Sequence, residues 1–133
     1  MKKIFLVFLF SFAILCLAQS QKSSIELLYF KANLPCCKAR VCNMLQTEVD
    51  SVIIKYYPDK NIKFHLVLLA DEENKALIEK YKASSQSVWL VKTKKNKEIA
   101  TDLTPIVSDY KKHWDKQKFE AEMKAAIEKT LKK

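Results

Sequence analysis

Ile25-Glu-Leu-Leu-Tyr-Phe30-Lys-Ala-Asn-Leu-Pro-Cys36-Cys37-Lys-Ala-Arg-Val-Cys42-Asn-Met-Leu45 is the stretch whose reading decides the fold. Ile25 to Phe30 is short, apolar and aromatic, the pattern of a buried strand. From the cysteines onward the spacing turns helical, with Leu45, Val49, Val52, Ile53 and Tyr56 on one face. Three thiols therefore stand where a strand hands over to a helix. Backbone N–H groups at a helix start favour thiolate over thiol, so this junction suits redox chemistry or a soft metal.

Working outward, the rest of the chain reads as alternating elements. Tyr57-Pro58-Asp59-Lys60-Asn61 is a turn. Ile62 to Leu69 reads as a second strand, alternating at first and then apolar. Asp71 is placed to cap a helix with Glu72 and Glu73 in its first turn and Leu77, Ile78 and Tyr81 facing inward. Gln86-Ser-Val-Trp-Leu-Val91 reads as a third strand, Lys94 to Lys97 as a tight turn, and Glu98 to Thr101 as a fourth strand. Thr104-Pro105 opens a short helix, proline being suited to a first turn. Phe119, Met123, Ile127 and Leu131 form one stripe of a C-terminal helix. The order is β-α-β-α-β-β-α with an extra short helix before the last. The alternating first half implies parallel strands joined by a right-handed crossover, and the hairpin around Asn96 an antiparallel pair. The expected fold class is α/β: a mixed four-stranded sheet with helices on both faces. No repeat, linker or second domain interrupts it.

The N-terminus addresses location. Met1-Lys2-Lys3 precedes an apolar run from Ile4 to Leu17, broken only by Ser11, with small residues at Ala18 and Ser20. This is the pattern of a secretory signal peptide over 1–20, too short to span a bilayer comfortably at about 20 residues. Cleavage is expected after Ala18 or Ser20. Lipidation of Cys16 is not expected, because Leu15 stands where a small residue is needed. The domain then occupies 21–133, enough for one core, and works in a periplasmic or secreted setting where disulfides persist. No stable membrane insertion is expected after cleavage.

Losing Lys2 and Lys3 leaves 22 basic side chains against 15 acidic, a formal +7 rather than +9. The excess gathers in Lys92 to Lys97, Lys111-Lys112 and Lys132-Lys133. It is interleaved with acids and no nucleic-acid motif accompanies it, so solvated faces are expected rather than a nucleic-acid partner. The chain has no glycine. That excludes Gly-rich phosphate loops and dinucleotide fingerprints, so no cofactor is implied. It also leaves left-handed turn positions to Asn, Asp or Lys. No spacing suggests a hydrolytic triad or a carboxylate pair.

The element order, with cysteines directly after the first strand, resembles the thioredoxin-like superfamily over nearly the whole domain. It is similar to small secreted bacterial thioredoxin-like proteins named as nitrophenyl-compound nitroreductase subunits. Cys42-Asn-Met-Leu45-Gln46 matches the second cysteine of that family's Cys-x-x-Cys and its continuation; Asp71 to Lys75 and Glu79 to Tyr81 match its second strand-helix unit. The chain departs from the pattern twice. Ala39 stands three before Cys42, so there is no Cys-x-x-Cys, and Ser87 stands near where thioredoxins carry a proline before the third strand.

The cysteine cluster leads to an expectation of thiol–disulfide exchange with another envelope protein, a loop cysteine attacking and Cys42 resolving or the reverse, with Cys36, Cys37 and Cys42 as the candidate catalytic set of a monomeric domain. Placing Cys42 at the family's second-cysteine position puts it in the first turn of a helix that starts late, near Arg40. Geometry sets the condition: in a regular helix residues 37 and 42 lie about 7.5 Å apart along the axis, and a disulfide needs Cα atoms within about 7 Å. A Cys36–Cys37 bridge would be strained. Two other readings stay open. The three thiolates could hold Cu(I), zinc or an arsenical, with His65 as a distant fourth ligand, or a structural disulfide could staple a domain that only binds a partner. His113 is expected at the surface, and Trp89 in the core.

Overall fold

A computed structural model describes residues 23–34 and 36–133, with the side chains of Cys36 and Cys37 outside the description. The signal segment and Cys16 lie outside the described residues. The elements are β1 (Ser24–Lys31), α1 (Cys36–Tyr56), β2 (Ile62–Leu68), a 3-10 turn at Glu72–Asn74, α2 (Lys75–Tyr81), β3 (Val88–Lys94), β4 (Lys97–Asp102), α3 (Thr104–His113) and α4 (Lys116–Leu131).

The sheet order is β2-β1-β3-β4. β1 runs parallel to β2, Ile25 opposite Ile62 through Lys31 opposite Leu68, and antiparallel to β3. β3 and β4 form an antiparallel hairpin. Its turn places Lys95 and Asn96 at φ 49° and 61°, the left-handed pair that fits the twist of a two-residue hairpin loop.

Period-two alternation along β1 divides the core. Leu27 and Tyr29 face α1, α3 and α4 in the larger cluster, with Leu45, Val49, Phe119, Met123 and Ile127. Leu28 and Phe30 face α2 in the smaller one, with Val67, Tyr81 and Val91. Leu77, Ile78 and Trp89 pack against the smaller cluster, and the Tyr81 and Trp89 rings lie 5.0 Å apart. Each large side chain sealed this way contributes about 1.5–3 kcal/mol, so the central strand, buried on both faces, anchors the domain.

Three local expectations need correction. Asp71 precedes a 3-10 turn and its side chain makes no cap bond; the acidic first turn belongs to Glu72–Asn74. β3 begins two residues later than expected, because Gln86 takes a left-handed φ of 70° and the Ser84–Ser87 turn closes before the strand. The left-handed positions include Gln86 and Trp114 beside Asn61, Lys82, Lys95 and Asn96, and no aspartate. Trp114 serves as the C-cap of α3, its N–H bonding to Tyr110 O at 2.7 Å. Its ring sits edge-on to Tyr110 at 5.3 Å, which helps hold a conformation a bulky residue otherwise avoids.

Candidate functional site

The site begins where β1 ends. Lys31 leaves the sheet, Leu34 follows, and α1 starts at Cys36. The helix therefore does not wait for Arg40: Cys36 and Cys37 already belong to its first turn, and Cys42 falls in its second. With 1.5 Å of rise per residue, Cys37 and Cys42 stand about 7.5 Å apart along the axis and Cys36 and Cys42 about 9 Å. Both exceed the reach of a disulfide. Early helix formation is locally favoured, because the Lys38-Ala39-Arg40 run has good helix propensity and no breaker follows Pro35.

Cys42 is a free thiol with no exposed surface, in the larger core cluster. The Tyr29 hydroxyl donates to the Cys42 carbonyl at 3.0 Å and lies 3.7 Å from its Sγ. The single phenolic proton is used on the carbonyl, so the hydroxyl oxygen faces the thiol as an acceptor. Burial holds the Tyr29 phenol well above its usual range, and the contact with Cys42 adds to the shift. The phenol thus stays protonated and serves as a fixed strut between β1 and α1. Val41 and Leu45 flank Cys42 with partly or fully buried side chains. The thiol is therefore closed to solvent.

His65 and Cys42 lie on opposite sides of the sheet. His65 pairs with Leu28 in the β1–β2 register, on the face of the sheet turned to α2, while Cys42 lies on the α1 side. Among the described residues no group of three His, Cys, Asp or Glu side chains is placed to hold a metal ion. His113 is exposed and lies 3.2 Å from Asp109.

A cleft of about 520 Å³ opens beside the junction, lined by Leu34, Lys38, Val41, Ser85, Gln86 and Lys111. Sequence reading missed it because its walls come from four separate segments. The Ser84–Ser87 turn builds one wall. Ser84 N–H donates to Ser87 Oγ at 3.0 Å, and Ser87 N–H to Ser84 O at 3.1 Å. Ser87 is buried and closes this turn. Gln86 N–H donates to Phe30 O at 2.8 Å and Phe30 N–H to Ser87 O at 2.9 Å, so the loop is tied to the end of β1. Lys111 Nζ donates to Gln86 Oε1 at 2.9 Å, bringing α3 to the rim. Ser85 Oγ is buried and makes no hydrogen bond among the described residues. The result is a mostly aliphatic hollow with two lysines at its edge. A second hollow of about 550 Å³, lined by Ala39, Arg40, Asn43, Met44, Thr47 and Glu48, involves α1 alone and is surface relief rather than a cleft between elements.

No family model and no curated protein matches the chain. A solved structure described as "Structure of a malarial protein" is 24% identical, with 68% of this chain and 97% of that chain covered and a TM-score of 0.39.

Proposed function

We propose that the chain is an exported thioredoxin-fold domain that binds a segment of another envelope protein in the cleft between α1, the Ser85–Gln86 loop and α3, with Cys42 as a structural thiol. The observation that carries this reading is the burial of Cys42 in the second turn of a helix that already includes Cys36. A dithiol couple needs two sulfurs within bonding range and at least one open to attack. Cys42 offers neither, which speaks against it as the resolving thiol for Cys36 or Cys37. The soft-metal reading loses its third thiolate for the same reason. The cleft's aliphatic lining and its Lys38 and Lys111 rim suit an apolar side chain flanked by a carboxylate.

A second reading retains thiol chemistry at the junction. Cys36 and Cys37 occupy the first turn of a 21-residue helix, where the unpaired N–H groups favour a thiolate. A mixed disulfide through one of them needs no intramolecular partner.

Equilibration of the mature protein in glutathione buffers of graded poise, read by mass spectrometry, separates these readings. The binding-module reading expects no disulfide containing Cys42 at any poise. A Cys36–Cys42 or Cys37–Cys42 bridge that forms reversibly overturns it.

A further inference from the structure

The β3–β4 hairpin closes on a like-charge pair. Lys94 stands directly opposite Lys97 in the register, with Lys95 in the turn between them. Like charges facing each other across two strands weaken the pairing, so the hairpin itself gains nothing from this arrangement. Elsewhere the surface ion pairs engage Lys55, Lys80, Lys116 and Lys118. Among the described residues no acidic side chain pairs with Lys94, Lys95 or Lys97, and all three are exposed.

Period-two alternation decides where these charges point. Lys92 and Thr101 lie on the α4 side of the sheet: Lys92 Nζ donates to Leu131 O at 2.7 Å, and the Thr101 and Thr130 hydroxyls lie 2.8 Å apart. Lys94 comes two residues after Lys92 and Lys97 four before Thr101, so both share that side. The C-terminal end of α4 arrives there too and adds the exposed Lys132 and Lys133. Glu98 lies on the opposite side, held by Lys80 and the Tyr81 hydroxyl. This end of the sheet is remote from the cleft. Thr93 faces Ser24 at the start of β1, whereas the cleft opens past the end of that strand at Leu34. The eight residues of β1 span about 23 Å between the two.

We propose that this end of the domain rests on a bilayer containing anionic phospholipid, with Lys94, Lys95, Lys97, Lys132 and Lys133 against the headgroup phosphates and the cleft turned away from the membrane. Lysines held near an anionic leaflet are each attracted to it, and the phosphates relieve the repulsion between Lys94 and Lys97. Ammonium groups on flexible stems suit a diffuse array of phosphates better than one fixed phosphate. The Lys92–Lys97 segment and Lys132-Lys133 hold no aromatic side chain on which bases could stack, so lipid is favoured over nucleic acid. The proposed export supplies the setting; the contact rests on the hairpin and the end of α4. Surface adsorption of this kind replaces the merely solvated faces expected from the sequence and needs no inserted segment.

Co-sedimentation of the mature protein with vesicles tests this, with equal parts phosphatidylglycerol and phosphatidylcholine set against phosphatidylcholine alone. The ionic strength is about 0.1 M, where screening over about 10 Å removes the influence of the far end of the domain. The protein should bind the mixed vesicles only and leave them as salt rises. Lys94→Gln with Lys97→Gln should lower the partition constant roughly tenfold or more, while its urea midpoint equals or exceeds that of the parent because the like-charge pair is gone. Lys75→Gln with Lys112→Gln removes the same charge at exposed positions near the cleft end and should change binding less than about twofold. If the hairpin variant does not fold by circular dichroism, Lys132→Gln with Lys133→Gln decides in its place. No binding to the mixed vesicles, equal binding to phosphatidylcholine alone, or equal losses in the two lysine pairs overturns the proposal. So does displacement by inorganic phosphate beyond that by sodium chloride of equal ionic strength, or by a single-stranded oligonucleotide at equal phosphate concentration.

Discussion

Tyr29 and Cys42 make the tightest statement about what the domain does. One phenol spans strand and helix, satisfies a helix carbonyl and faces a sealed sulfur. Tyr29→Phe keeps the ring packing but removes the hydroxyl. It is expected to lower the unfolding free energy by about 1 kcal/mol, seen in urea as a lower midpoint with an unchanged slope. The three cysteines were legible from the sequence; the burial of Cys42 was not. Whether Cys42 faces core or cleft depends on where α1 starts. The four-residue difference between Cys36 and Arg40 moves Cys42 from the first turn of the helix to the second. Nothing in Pro35-Cys36-Cys37 fixes that start in advance.

At the scale of elements, caps and ion pairs hold the joints. Asp115 accepts from Lys118 N–H at 3.0 Å and starts α4. Asp115→Ala is expected to cost about 1 kcal/mol, measured by thermal or urea unfolding. Glu98 joins β4 to α2, accepting from Lys80 Nζ at 2.7 Å and from the Tyr81 hydroxyl at 2.9 Å. The Lys80 hydrogen bond holds its carboxyl below the usual range, against partial burial. Its unfolded value is about 4.3. The stabilisation is therefore present above that pH and lost as pH falls through the lower folded value. Glu98→Gln should flatten that acid-side loss while changing neutral stability little, since exposed pairs are weak; urea midpoints measured from neutral to acid pH check this. The strands and long helices were legible because their apolar spacing is strong. Asp71 misled because a good capping residue says nothing about whether the next turn is α or 3-10. The onset of β3 was missed because a left-handed glutamine is chosen by its bonds to Phe30 and Lys111, which are remote in sequence.

For the whole molecule, the parallel β1–β2 pair, the β3–β4 hairpin and the two-sided core are the arrangement the sequence pattern predicts. No helix among the described residues is long and apolar enough to cross a membrane. The cleft was not legible, since Leu34, Val41, Gln86 and Lys111 converge only after the crossover folds back. The proposed structural role of Cys42 follows from its burial in the larger core cluster, and timed alkylation of the native mature protein tests it most directly. With peptide mapping by mass spectrometry, Cys42 should stay unmodified in the reduced native protein and become modified only under unfolding conditions. Alkylation of Cys42 in the native protein at the rate seen in denaturant would contradict a structural role for this thiol.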